Sequence, residues 1–504
     1  VKPIVNDGSS AGAHKAYFIG GGIASLSGAV LLIRDGGFRG ENIEIFEQNE
    51  RSGGGLDAVK SGKDYISRGG RMFEEHYSCT LDVLSEIPSI NNKNITVKDD
   101  IYLFNRDVVS NAQCRLVVNN EKVDVSSYGL SFTHLWEMFK LIINFREKTH
   151  IEIREWFSPD FFKTKFWLLW TTSFSFQPWD NVDELRRYFL RFIHLLPGFN
   201  HYENILRTRF NQYDSMIAPM VEWLKSNGVR IHQNNILTKV EFENENKKIR
   251  VRKLYISQKE IFREIELLNG DLAFITLGSM VENSVRGGMK SPQPVLPEFN
   301  GHSWEIWRSI SGERKDFGNP EPFISEIPKS RWISFTVTQT DPVFFQFMET
   351  YTTNKAGTGG LVSFPDSGWF LSIVLFHQPF FYNQKENEYI FWGYGLFPDQ
   401  DGNYIKKKMG ECTGEEILKE VLYHLPVDNK EYILGVSHCI PTEMPFITSQ
   451  FNIRGKHDRP NVIPDGAENF GFLGQYVAIK EDVVFTVEYS IRSAMMAVYS
   501  LLRI

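Results

Sequence analysis

The sequence predicts an α/β fold in which a dinucleotide-binding domain is assembled from separated segments, with a mostly helical domain and a β-rich domain inserted between them. Three observations lead there. "AYFIGGGIASLSGAVLLIRD" (16–35) reads as an apolar strand, a glycine turn and a helix, and "NIEIFEQ" (42–48) as the next strand of a βαβ unit. "DLAFITLGS" (271–279) and "NFGFLGQY" (469–476) repeat the strand-then-glycine pattern far downstream. Between these pieces, 76–226 is helical in pattern, and 290–450 alternates short strand-like runs such as "RWISFTVTQ" and "EYIFWGYGLF". A chain of 504 residues is too long for one ordinary domain. The expected division is 1–75, 227–285 and 460–504 for the dinucleotide domain, 76–226 for the helical one and 286–459 for the β-rich one.

At the first turn, Gly20, Gly22 and Ser25 fit G-x-G-x-x-[G/A/S]. Gly20 permits the tight turn, Gly22 lets a pyrophosphate approach the backbone, and the small Ser25 allows close helix–strand packing. Ile23 and Ala24 complete the turn at a helix N-terminus that faces the anion. Glu47 ends the next strand and would bond a ribose hydroxyl, with Gln48 beside it. A second glycine turn follows at once, "RSGGGLDA" (51–58), which contributes Gly54 and Gly55. That second loop suits the longer FAD rather than NAD. Val240 and Gly278 are the expected contacts from the middle segment. Gln475, Val484 and Phe485 are those from the last, where a helix N-terminus would face the flavin's pyrimidine end. No second fingerprint for a nicotinamide is found, so the flavin must either be reduced by the substrate or undergo no net redox change.

Bulk properties narrow the partners. A net charge of −7 gives no basic excess of the kind nucleic-acid binding requires. No apolar run is long enough to span a bilayer, so no stable membrane anchor is expected. The four cysteines, Cys79, Cys114, Cys412 and Cys439, have neither zinc nor C-x-x-C spacing, and no metal site is expected. Aromatic residues make up 14% of the chain, which suits either a large aromatic core or a wide apolar cavity. The chain begins at Val1, which predicts a processed N-terminus. With the sequon at Asn94 this leaves a secretory-pathway location and glycosylation open.

Several stretches resemble the oleate hydratase family, also called myosin-cross-reactive antigens: "RGGR", "HYSCTLDVLSEIPSI", "FWLLWTTSFSFQPW", "ELRRYFLRFIHLLPG", "NQYDSMIAPMVEWL", "GYGLF", "ECTGEEI" and "FTVEYSIRSAMMAVY". They span nearly the whole chain in family order. The resemblance implies an FAD enzyme acting on double bonds of free fatty acids. It also implies that Cys79, Cys114 and Cys412 are packing thiols rather than bridges. Within "RGGR", Arg68, Gly69, Gly70 and Arg71 shape the flavin loop, and Tyr188 in "LRRYF" handles a proton at the double bond. Phe176, Gln177, His377, Gln378, Phe380 and Thr442 are the implied substrate contacts.

Two departures from the family matter. Its turn reads R-G-G-R-E-M, and its glutamate is taken to activate the water that adds to the alkene. Here those two positions are Met72 and Phe73. A thioether cannot accept a proton from water at neutral pH. Around its Q-P pair the family has polar residues for the fatty-acid carboxylate, where this chain has Val374, Phe376 and Phe380. A dry site beside a flavin suits another reaction. Hydride leaves the bis-allylic carbon of a polyunsaturated acid and returns at another carbon, giving conjugated double bonds without net redox change. Met72 and Phe73 would then exclude water, and Arg71 would favour the reduced, anionic flavin. This is similar to the flavin-containing polyunsaturated fatty acid isomerases of red algae, and it makes a glycosylated homodimer the expected state. The alternatives are a hydratase using Glu74 or Glu75, an amine-oxidase-like flavoenzyme suggested by "RSGGG", and a non-catalytic fatty-acid or flavin carrier.

Overall fold

The computed structural model describes residues 14–504 except 71, 145, 260 and 481. Five parallel strands form the first sheet, in the order Phe470–Leu473, Leu272–Thr276, Ala16–Ile19, Ile43–Glu47, Arg230–Gln233. The first four are buried along their whole length apart from the last residue of one, as a sheet covered on both faces demands. Helix Ile23–Arg34 covers one face together with Val487–Leu502. Close approach there depends on Gly28, where a Cβ would lie 2.6 Å from the Phe18 ring. Ser25 does what the third fingerprint position requires: its Oγ lies 3.2 Å from Thr276 Oγ1 on the neighbouring strand.

A second sheet of eight strands lies in the order Val285–Arg286, Ser437–Met444, Trp332–Gln339, Tyr389–Gly395, Leu371–Leu375, Val362–Phe364, Leu116–Val118, Glu121–Val123. Its last two strands come from the stretch expected to be helical. They form a short hairpin on the sheet's edge, too brief to show a period in the sequence. Val285–Arg286, at the end of the expected dinucleotide segment, also pairs into this sheet. A separate antiparallel sheet holds Ile236–Glu245, Lys248–Gln258 and Ile261–Glu266.

The hairpin Ala58–Ser61 and Asp64–Ser67 ties the two large sheets together. Tyr65 N and Ser67 N donate to Thr338 Oγ1 (3.3 Å) and Thr336 Oγ1 (3.0 Å) on the strand Trp332–Gln339. The glycine-arginine turn that follows is thus held where the nucleotide sheet meets the β-rich one. The aromatic block becomes helix Lys165–Phe174, with Trp170 fully buried among Phe166, Phe174, Phe189 and Phe199. It is mainly core. All four cysteines are buried, unbridged thiols. Asn94 is exposed. Among the described residues no helix is long and apolar enough to cross a membrane.

Candidate functional site

A cleft of about 840 Å³ runs along the C-terminal ends of the parallel strands, where α/β sheets bind their ligands. It is lined by Gly20, Gly22, Ile23, Ala24, Glu47, Gln48, Gly54, Gly55, Arg68, Gly278, Gln475 and Phe485, all expected from the sequence. The two glycine turns are clipped together by Gly53 N donating to Gly21 O at 2.8 Å. A Cβ on Gly22 would meet nothing within 4 Å, so its space opens into the cleft. Helix Ile23–Arg34 has neither a side-chain cap nor an acid in its first turn. Its leading N–H groups are left for an anion. Glu47 closes one end, its Oε2 accepting from Gly21 N (2.6 Å) and its Oε1 from Asn49 N (2.8 Å). Burial pushes its carboxyl up, against those hydrogen bonds.

At the other end stands Phe485, whose φ of +69° is an uncommon conformation for a bulky residue. Gln475 holds it there: its Oε1 accepts from Phe485 N (2.5 Å) while its Nε2 donates to Thr486 O (2.8 Å). Size, two glycine loops, an uncapped helix and an acid at the far end fit FAD. Val240, Val484 and Ser25 do not line this cleft. Val240 is buried in its strand, and Ser25 packs the helix on the sheet.

A smaller inner cavity of about 110 Å³ adjoins it. Phe485 lines both, and the turn at 68–70 is the partition, with Arg68 on the cleft side and Gly69 and Gly70 on the inner side. Arg68 braces that partition by donating from Nε to Asp57 Oδ1 (2.6 Å) and from Nη2 to Gly54 O (2.9 Å). Its charge is therefore balanced by Asp57. Gly70 is pressed against Phe376, whose ring would lie 2.8 Å from a Cβ. Phe376 in turn stacks on Phe380 at 3.7 Å. At this size the inner cavity lies below the usual range of roughly 300–1,000 Å³ for ligand sites. A long ligand must displace side chains to enter, and this stacked pair lies in its wall.

Of the residues singled out from the sequence, Met72, His377 and Phe380 line the inner cavity. Phe73 does not. It is buried in the core beside Tyr77 and pairs its backbone with Leu206, so only one of the two oily residues faces the inner cavity. Arg71 lies outside the described residues. Tyr188 also stays out of the cavity: its hydroxyl donates to Val484 O at 2.6 Å, next to Phe485, and its ring packs among Phe174, Phe176 and Phe451. Phe176, Gln177 and Thr442 are buried away from the cavity wall. Gln378 is consumed structurally, its Nε2 donating to the carbonyls of Phe376 and Ile390 (both 2.9 Å). The rival bases are placed no better. Glu74 is buried outside the cavity against Arg191 (3.2 Å), His76 (2.7 Å) and His194 (3.3 Å), and Glu75 is exposed.

Sequence reading missed Thr172, Ser173, Tyr202, Arg207, Arg209, Trp332, Trp392 and Tyr394 in the inner wall. The available signal was "RTR" just before the family-like "NQYDSM". Among the described residues no Asp or Glu lines this cavity.

Comparison with known proteins agrees with this architecture. The chain is 38% identical over 509 aligned residues to an oleate hydratase of Streptococcus pyogenes serotype M49 (strain NZ131), covering 97% of this chain and 85% of that protein. It is 28% identical to a linoleate hydratase of Lactiplantibacillus plantarum, covering 96% and 93%. Among solved structures, a putrescine oxidase (TM-score 0.57, 12% identity, 97% and 99% coverage) and cyclohexylamine oxidase from Brevibacterium oxydans IH-35A (TM-score 0.57, 11%, 97% and 99%) share the fold. The model of the MCRA family matches residues 13–499, and the chain belongs to that family.

Proposed function

We propose that this protein is an FAD-dependent enzyme acting on a carbon–carbon double bond of a free fatty acid, and that it isomerises polyunsaturated acids to conjugated products. Bound FAD would supply removal of a hydride from a bis-allylic carbon and its return at another. The residues' part is to keep that exchange dry. The observation that carries this reading is the absence of any Asp or Glu from the described lining of the inner cavity, with Met72 in its wall. Water there has no carboxylate to surrender a proton to. Gly70 packed under Phe376, and Phe376 on Phe380, support the same conclusion on the partition itself.

Hydration is the second reading, and the relatives' names give it the stronger outside support, since both are hydratases. Its difficulty is the base. Glu74 is already engaged by Arg191 and two histidines, and Glu75 faces solvent.

One experiment separates the two. The FAD-loaded protein is incubated with a polyunsaturated free acid in ¹⁸O-labelled water, and product absorbance and mass are recorded. Conjugated product without label supports isomerisation. A labelled hydroxy acid as main product replaces it with hydration. Neither product, with FAD bound, overturns the enzyme class itself.

A further inference from the structure

The inner cavity contains a charge that the fold leaves unbalanced. Arg207 lies between the family-like helical stretch and the helix Ala218–Ser226. Its backbone is fixed by Asn105, whose Oδ1 accepts from Arg207 N (2.9 Å) and whose Nδ2 donates to Arg207 O (2.7 Å). The side chain crosses Gly359 to reach the cavity. A Cβ at Gly359 would sit 2.0 Å from Nη2, so only glycine leaves room for the guanidinium. Among the described residues Arg207 has no carboxylate partner, its guanidinium makes no hydrogen bond, and its Nε is enclosed without one.

The neighbouring arginines are satisfied differently. Arg209 pairs with Asp100 at 3.0 Å. Arg115 is fully buried and donates to Phe199 O (2.9 Å), Leu361 O (3.3 Å) and Ser173 Oγ (3.0 Å), but it too lacks a described acid. Arg115 and Arg207 flank the Tyr202 ring, at 3.5 and 6.0 Å from its centroid. Burial lowers Arg207 to about 10, which still leaves it charged at neutral pH. Two guanidiniums around one ring, with no anion, make a low-dielectric pocket of positive potential. Such an arrangement is costly until an anion arrives.

We propose that Arg207 is the anchor for the carboxylate of the substrate, taken up by its free Nη groups, with Arg115 adding positive potential behind it. This rests on the fatty-acid reading above. Guanidinium and carboxylate match in geometry as well as charge. The anchor takes over from the residues suggested by the resemblance. Gln378 is occupied by backbone carbonyls, Thr442 is outside the cavity, and Phe376 and Phe380 offer no donor. The acyl chain would then lie along the apolar remainder, toward Trp332, Trp392 and Met72.

The test uses FAD-loaded wild type, Arg207→Gln and Arg207→Lys, each with a polyunsaturated free acid and with its methyl ester. Kd, KM and the ligand-induced shift in melting temperature are measured. Wild type should prefer the acid. Arg207→Gln should weaken the acid roughly 10- to 100-fold, as for loss of a charge-assisted hydrogen bond, and leave the ester within about threefold. Arg207→Lys should fall between. Ligand-free Arg207→Gln should melt no lower than wild type, since an uncompensated charge is removed, and the acid should no longer raise its melting temperature. If it fails to fold, the lysine variant carries the comparison. Retention of the wild-type preference for acid over ester, with flavin content unchanged, overturns the anchor and leaves the substrate reading standing. Equal protection of wild type by inorganic phosphate also overturns it, making Arg207 a general anion site. Wild type that binds neither acid nor ester brings down the substrate reading and the anchor together.

Discussion

Glu184→Gln should destabilise the protein by about 3–5 kcal/mol, the cost of removing one partner from a buried ion pair. Glu184 is on helix Val182–Phe192, the helix that carries Tyr188, and is 0% exposed. Its Oε1 accepts from Arg454 Nη2 (2.6 Å) and Arg459 Nη1 (3.0 Å), both buried on the segment leading to the strand Phe470–Leu473. Burial alone would raise the carboxyl. Arg459 and Arg454 outweigh it and bring it from an ordinary 4.5 down to about 2. At about 1.4 kcal/mol per pH unit this corresponds to about 3 kcal/mol. Because the folded value is the lower one, the contribution is fully present above pH 4.5. It is lost as pH falls from 4.5 through 2. Glutamine keeps the shape and loses the charge, leaving two guanidiniums buried together. Urea unfolding of wild type and variant at pH 7 and at pH 4 measures the difference, which should be smaller at the lower pH. A gap under about 1 kcal/mol at pH 7 would refute the reasoning, since a pair this deep cannot be both intact and inconsequential.

Three further outcomes are expected. Gly22→Val fills space that leads only into the cleft, at a φ of −76° that any residue adopts, so flavin content should fall by about tenfold or more while the flavin-free melting temperature holds. Flavin absorbance per protein, with a thermal melt, checks this. Met72→Glu places a base in a cavity whose described lining has no carboxylate and should bring up ¹⁸O-labelled hydroxy acid; mass spectrometry of the products reads it. Tyr188→Phe removes a hydrogen bond to Val484 O, so about 1 kcal/mol of stability should be lost. Its kcat should fall less than about tenfold, whereas a direct proton donor would lose about 10²–10⁴.

What could be read from the chain and what could not divides along physical lines. The nucleotide cleft was legible because each requirement is local. Gly20, Gly22 and Ser25 occupy one turn, Glu47 ends the next strand, and a second glycine loop follows within a few residues. A backbone that needs glycine announces it in the sequence. The inner cavity is a property of pairings made across long separations, which composition and spacing do not encode. Two neighbouring arginines, Arg207 and Arg209, look equivalent in "RTRF", and only the fold gives Asp100 to one and nothing to the other. Glu74 was the alternative base offered by the sequence, close behind Met72. It lies four residues ahead of helix Ser78–Leu84 and is captured by Arg191 and His194 from a distant stretch, outside the inner cavity. Met72 and Phe73 read as one oily pair, but adjacent side chains on an extended backbone point to opposite sides, so one faces the cavity and the other the core. Whichever side chain stands at position 72 therefore faces the inner cavity, and in this chain it is one that cannot take a proton.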